Sequence, residues 1–211
     1  MKIGILGAGR VGGTLANALA AKGHDITVGH RDPQAARAKW QGAAVRHASL
    51  VDAAASTNLV INALPGDTAL VSVTALAASL AGKTLLDVSN ATTRLPNGLP
   101  GGLLYPGDSV AERLQAALSE TRVVKALNTM IFSVMVAPRS VATPPQAFLS
   151  GNDEAAKAQV QALLLDLDWS AEWIIDLGGI ETARATEALI LMVPHLIKAK
   201  GFKPFALTAA Y

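Results

Sequence analysis

The chain of 211 residues contains no cysteine, which excludes disulfides, thiolate metal sites and cysteine nucleophiles. Aromatic residues are also scarce: three Trp, two Tyr and four Phe, none interleaved with basic residues. A net charge of +2 adds no strong field, so nucleic acid is not expected as a partner. No run of about 18 uncharged apolar residues occurs, and no membrane span is expected, although half the residues are apolar. Met1 leads within a residue into an apolar strand, leaving no room for a signal peptide, so the expected compartment is the cytoplasm. His24 and His47 have no Asp, Glu or His at metal-ligand spacing, and no Ser-His-acid set can be assembled. Metal and hydrolytic chemistry are therefore unsupported. The length suits one well-buried core with a small appended segment.

Glycine, by contrast, is placed with a purpose. The strand Lys2–Leu6 runs into Gly7-Ala8-Gly9-Arg10-Val11-Gly12, a G-x-G-x-x-G turn suited to a dinucleotide pyrophosphate. Gly7 permits the tight turn, Gly9 lets backbone N–H groups approach the phosphates, and Gly12 lets the helix lie close on the strand. The anion would sit at the helix N-terminus, where unpaired N–H groups favour negative charge. Val11, Leu15 and Leu19 recur on one face of that helix, and Gly23 stands where a left-handed cap is wanted. A second strand follows from His24, and its tip, Gly29-His30-Arg31, has no carboxylate. An acid there would take the ribose hydroxyls of NAD and repel the extra phosphate of NADP. His30 and Arg31 instead offer donors to a 2′-phosphate, so the expected cofactor is NADP. Asp32 reads as the N-cap of the next helix, with Pro33 at its first position and Arg37 one turn further in.

The β/α alternation continues. Ala43–Arg46 reads as a short third strand, Leu50–Ala55 as a helix, and Asn58–Ala63 as a fourth strand buried on both faces. Asp67–Ala78 reads as a helix, Thr84–Val88 as the fifth strand, Ser109–Leu118 as a helix and Arg122–Ala126 as the sixth strand. Six such strands predict an α/β fold built on a doubly wound parallel sheet of order 3-2-1-4-5-6. Ligands then bind beyond the carboxyl ends of the strands. After strand four comes Leu64-Pro65-Gly66-Asp67, a turn able to lie across the cofactor's ribose and nicotinamide. Asn90 follows strand five, and Asn128 and Thr129 follow strand six; their side chains can hydrogen-bond a carboxamide or ring carbonyl, although Asn also serves loops. Lys125, at the end of strand six, is the one candidate general acid.

The segments KIGILGAGRVGGTLANALAAKGHDITVGHRDP, ALPGD, LLDVSNATT, VVKALNTM and GGIETARATEALILMVPHLIKAKGFKPF together resemble the NADP oxidoreductases that act on the deazaflavin coenzyme F420. The resemblance spans nearly the whole chain. It implies an NADP-binding Rossmann fold, a small C-terminal helical part, a homodimer, and direct hydride transfer between nicotinamide and deazaflavin with no protein acid required. By position it implies a phosphate-binding turn at Ala8–Gly12, a 2′-phosphate pair at His30 and Arg31, and a nicotinamide pocket at Leu64-Pro65 and the Asn128-Thr129 loop. The family's archaeal form has Ser in place of His30 and a further Lys nearby, for which Arg37 is the candidate substitute. The loop Met130–Pro145 also departs from the pattern at the deazaflavin side. The cytoplasmic domain of membrane metalloreductases resembles the same pattern and passes hydride to a flavin. A non-catalytic NADP sensor and a reductase of a ferric chelate or a small imine or keto substrate are the alternatives.

The remaining features read as structure. Asn152 is the expected N-cap of an amphipathic helix, Trp169 and Trp173 are expected to pack between that helix and a strand at Glu172–Asp176, and His195 reads as a packed or capping histidine. The expected division is an NADP-binding domain over residues 1–178 and a C-terminal helical segment over 179–211. Apolar residues from Ala185 to Ile197, with Phe202, Phe205 and Tyr211, suggest that this segment both walls the substrate cleft and makes the homodimer contact.

Overall fold

A computed structural model describes residues 1–209, which leaves Tyr211 outside the described residues. In chain order the first elements are β1 (Lys2–Leu6), α1 (Arg10–Ala21), β2 (Asp25–His30), α2 (Pro33–Lys39), β3 (Arg46–Ser49), α3 (Leu50–Ala55), β4 (Leu59–Asn62) and α4 (Gly66–Thr74). The middle of the chain forms α5 (Ala77–Leu80), β5 (Thr84–Asp87), β6 (Thr92–Arg94), β7 (Pro100–Leu103), α6 (Val110–Ala117), β8 (Arg122–Lys125) and α7 (Phe132–Val136). Then come β9 (Ala147–Gly151), α8 (Glu154–Asp166), β10 (Ile174–Asp176), α9 (Ala183–Ala188) and α10 (Val193–Lys200).

Among the described residues eight strands form one sheet, ordered β3-β2-β1-β4-β5-β8-β9-β10. The first six of these are the six expected strands in the expected order, all parallel. β4 and β5 are buried along their whole length, as strands covered by helices on both faces must be. One apolar layer joins the sheet to α1, α7 and α8 through Leu15, Leu19, Val134, Val160 and Leu163, and the other joins it to α3, α4 and α6. Asp32 caps α2 by accepting from the Ala35 N–H, with Pro33 in the first turn, and Gly23 takes the left-handed conformation after α1. Trp169 is buried as expected, its indole donating to the Met135 carbonyl at 3.0 Å, and Trp173 packs against the same apolar layer.

Several local expectations are corrected. β3 begins three residues later than Ala43, because the Ala43 N–H is engaged by Asn17 Oδ1 at 2.7 Å and its carbonyl accepts from Trp40 Nε1 at 2.8 Å. The helix after β4 stops at Thr74, whose hydroxyl donates back to the Leu70 carbonyl at 2.8 Å, and resumes only as α5. Asp153, not Asn152, caps α8, while Asn152 Oδ1 accepts from the Ile180 N–H at 2.9 Å. His195 is exposed, since α10 turns the neighbouring Val193 inward instead. The hairpin β6–β7 and the strand β9 had no expected counterpart. β9 runs antiparallel to β8, and β10 runs parallel to β9, so both point away from the carboxyl edge of the other strands.

That edge is held by a buried polar network. Sheet register sets Asn62 beside Asp87 and Asp87 beside Lys125 at the ends of three adjacent strands. Asp87 Oδ1 accepts from Asn62 Nδ2 and from Ser89 Oγ, both at 2.8 Å, and Asp87 Oδ2 accepts from Lys125 Nζ at 2.8 Å. Lys125 also donates to Glu187 Oε1 of α9 at 2.7 Å and to the Ser89 carbonyl. Glu187 in turn accepts from the N–H groups of Val110 and Ala111 at the start of α6. Burial by itself would lower the Lys125 pKa, but the two carboxylates and their hydrogen bonds overcome it and hold the ammonium above the ordinary lysine value. With its donors engaged inside the protein, Lys125 has none to offer a substrate. Lys125→Met should destabilise the fold by about 3–5 kcal/mol, because two carboxylates would remain buried without their cation. Urea unfolding checks this, and Lys22→Met, which breaks only an exposed pair with Asp168, should cost under about 1 kcal/mol.

Candidate active site

A cavity of about 510 Å³ opens at the carboxyl edge of the parallel strands, within the size range of small-molecule sites. Its floor comes from the loops after β1, β4, β5 and β8, represented by Gly9, Leu64, Asn90 and Asn128. Met130, Ile131 and Phe132 form one apolar wall; Ile190, Val193, Ile197, Phe202, Phe205 and Leu207 bring the C-terminal segment across the opening. That segment is fastened by backbone bonds: Ile131 N–H donates to the Phe205 carbonyl at 3.1 Å and Leu207 N–H to the Thr129 carbonyl at 3.0 Å.

The three glycines of the first turn have different physical reasons. Gly7 has φ +95°, a conformation that side chains resist. A Cβ on Gly12 would stand 1.9 Å from the Gly7 carbonyl oxygen, so α1 can lie on β1 only with glycine there. Gly9 has an ordinary φ of −67°, and a Cβ there would meet nothing within 4 Å. Neither backbone strain nor packing requires glycine at 9, which leaves room for a ligand as its use. No side chain caps α1 and no acid lies in its first turn, so its leading N–H groups face that open space.

At the β2 tip His30 Nε2 lies 2.9 Å from His47 Nδ1 on β3, a partnership invisible in the sequence spacing. Arg31 and Arg37 are exposed, and among the described residues neither has an ion-pair or hydrogen-bond partner. Two unengaged guanidinium groups beside an acid-free tip are what a phosphate requires. Asp32, the nearest acid in sequence, is committed to its helix cap.

On the cavity floor Asn90 Nδ2 donates to the Asn128 carbonyl at 2.8 Å, and Asn128 Nδ2 donates to Asn90 Oδ1 at 3.0 Å. The two loops are thus clamped together by the amides expected to face a cofactor. A Cβ on Gly66 would fall 2.0 Å from the Asn90 carbonyl oxygen, which brings the loop after β4 into the same tight arrangement. Thr129 is 4 % exposed and its hydroxyl has no partner, yet the residue lines the cavity. A buried hydroxyl without a partner is costly unless a ligand completes it. Open space at Gly9, unengaged cations at the β2 tip and the unmatched Thr129 hydroxyl all fit a phosphorylated dinucleotide.

Of the residues expected at the site, Gly9, Arg10, Val11, Leu64, Pro65, Asn90, Asn128 and Thr129 line the cavity. Gly7, Ala8 and Gly12 shape the turn beneath it, His30 and Arg31 stand at the β2 tip, and Arg37 lies on α2 near His47. Asp67 faces the hairpin instead, where Arg94 Nε donates to its Oδ2 at 3.2 Å. Arg94 was missed by sequence reasoning, since its contact with Asp67 is distant in sequence; the loop from Met130 was expected at the acceptor side, but Ile131 and Phe132 were not singled out. Among the described residues no three His, Asp or Glu side chains form a metal cluster, and no helix is long and apolar enough to cross a membrane.

Comparison with known proteins bears on the family and the fold. The family described as NADP oxidoreductase, coenzyme F420-dependent, matches residues 2–91. A solved structure from Arthrobacter sp. FB24, described as a candidate F420-dependent NADP reductase, shares 41 % identity over 100 % of both chains, with a TM-score of 0.90. The rat metalloreductase STEAP3 is 29 % identical over 191 residues, 90 % of this chain but 36 % of that protein, so the chain spans about a third of its length. An imine reductase from Streptomyces aurantiacus shares the fold at 18 % identity, with a TM-score of 0.64 over 94 % of this chain and 62 % of that one. Gly9→Val should retain the native Tm and lose NADP binding, whereas Gly12→Ala should lower stability by about 2 kcal/mol or more through overpacking. Thermal melts and cofactor titration of the two variants separate a ligand role from a packing role.

Proposed function

Because the chain belongs to the coenzyme F420-dependent NADP oxidoreductase family and is an NADP-dependent oxidoreductase, we propose that it passes hydride between NADPH and a deazaflavin. The observation that carries this reading is the lining of the cavity: no Asp, Glu, His, Lys or Tyr contributes to it among the described residues. Reduction of a carbonyl needs a proton as well as a hydride, and this cavity presents no ordinary proton donor. A deazaflavin also gains a proton with the hydride, but on a ring nitrogen that exchanges with water, so the protein's part is mainly a fixed distance and stacking.

In this reading the N–H groups at the start of α1 receive the pyrophosphate, and Arg31, with His30 and Arg37, takes the 2′-phosphate. Leu64 and Pro65 support the nicotinamide, whose carboxamide completes the Thr129 hydroxyl. Phe132, Phe202 and Phe205 offer aromatic faces suited to a large planar acceptor. The likeness to the metalloreductase supports a second reading, in which a flavin takes the acceptor's place. Supplied with NADPH, the protein should reduce the deazaflavin at least about tenfold faster than FMN, FAD, a ferric chelate or a cyclic imine. Faster turnover with FMN assigns the flavin reading, and oxidation by none assigns a sensor.

Residues 179–211 form, in this proposal, both the cleft wall and the contact of a homodimer. Leu191, Met192 and Phe202 are exposed to 36 %, 46 % and 64 %, an apolar surface that one chain leaves uncovered. Light scattering at micromolar concentration should give twice the chain mass; a monomer mass, unchanged by NADPH, would restrict the segment to the cleft.

A further inference from the structure

The imidazoles of His30 and His47 form a paired unit in which geometry links the charge to the donors it can present. Their facing nitrogens are 2.9 Å apart and the rings are stacked, with centroids 5.0 Å apart. Trp40 and His47 meet edge to face, at 5.2 Å between centroids. Two nitrogens at that distance share one hydrogen. A neutral pair carries one further hydrogen, on the outer nitrogen of one ring or the other. A pair with a single positive charge carries three, so both outer nitrogens become donors. Only the charged pair therefore guarantees a donor on His30 Nδ1 whichever way the shared hydrogen points.

Without a ligand the pair is held toward neutrality. Burial is the main cause for each ring; the neighbouring imidazole adds to it for His30, and the Arg37 charge adds to it for His47. The other charged groups on the elements packed around the pair do not offset this. Arg31 follows His30, Lys39 ends α2, Arg46 on β3 is paired with Asp25, Asp32 caps α2, and the α3 carboxylate Asp52 accepts from Ser49 Oγ at 2.7 Å. A phosphate dianion arriving beside Arg31 reverses the balance, because it adds two negative charges and asks for donors.

We propose that the His30–His47 pair takes up one proton when the 2′-phosphate of NADP(H) binds, with His47 the positioning residue that supports the charged His30. This rests on the reading of the β2 tip as the 2′-phosphate site. His47 Nδ1 accepts the shared hydrogen from His30 Nε2, which leaves His30 Nδ1–H to donate to the phosphate. The complex then holds more protons than its separated parts, so NADP(H) affinity rises as pH falls toward the value at which the unliganded pair charges by itself. Discrimination against NAD(H) is accordingly strongest at mildly acidic pH and declines above neutrality.

Calorimetric titration at pH 7.5, in buffers of different ionisation enthalpy, counts the protons taken up. The 2′-phosphate, with a second pKa near about 6, is already a dianion there, so any uptake belongs to the protein. Native protein should take up protons with NADP⁺ and none with NAD⁺. His47→Phe, which keeps a ring but offers no acceptor, should lose the uptake and about tenfold in NADP⁺ affinity relative to NAD⁺. His47→Asn places a carbonyl oxygen near the Nδ1 position and should restore both. Preference for NADP⁺ without proton uptake would overturn the proposal while leaving the phosphate site intact, and so would native behaviour in His47→Phe. Equal affinity of native protein for NADP⁺ and NAD⁺ would remove the phosphate site itself, and the proposal with it.

Discussion

The ammonium of Lys125 is the constraint on which the rest of the site depends. A charge with no exposure to water has to be matched inside the protein, and its partners come from three places: Asp87 on the next strand, Glu187 on α9 and the Ser89 carbonyl in the loop between. A buried ion pair adds little net stability over an apolar substitute, but loss of one partner is costly, so few other arrangements of these elements are tolerable. The loop that starts at Ser89 carries Asn90, and Asn90 is clamped to Asn128. One cation thus sets the height of the cavity floor without reaching the cavity.

Strand and glycine patterns were legible because their causes are local. A strand covered on both faces is nearly continuously apolar, and Asn58–Ala63 reads that way from composition alone. The roles of Gly7 and Gly12 likewise follow from backbone geometry within six residues. β9 was not legible: it is a five-residue strand whose antiparallel pairing depends on register with Val124 and Lys125, more than twenty residues away in sequence.

Site residues divide along the same line. Those immediately after a parallel strand were found, because topology alone sends them to the carboxyl edge. Of those that arrive by tertiary packing, the C-terminal segment was expected along the cleft, but Arg94 was not. The Arg94–Asp67 pair and the meeting of His30 with His47 join segments with no sequence signal between them. Lys125 was noticed for its position at the end of a strand, but nothing in its neighbours announced that two carboxylates would enclose it.

The reversal of β9 and β10 has a directional consequence for the chain. A chain following a parallel strand always arrives at the carboxyl edge, so a helix that continues from it travels down and away. To roof that edge, the chain has to arrive beside it running the other way. β9 descends only as far as the level of Lys125, beside which register sets Ser150, and the Thr182 hydroxyl donates to the Ser150 hydroxyl at 2.7 Å, so α9 starts level with Lys125 and Glu187 reaches it. From there the chain from Leu189 to Leu207 crosses the opening of the cavity. Among the described residues the two reversed strands line no part of the cavity, yet they hand the chain back at the height from which its roof starts.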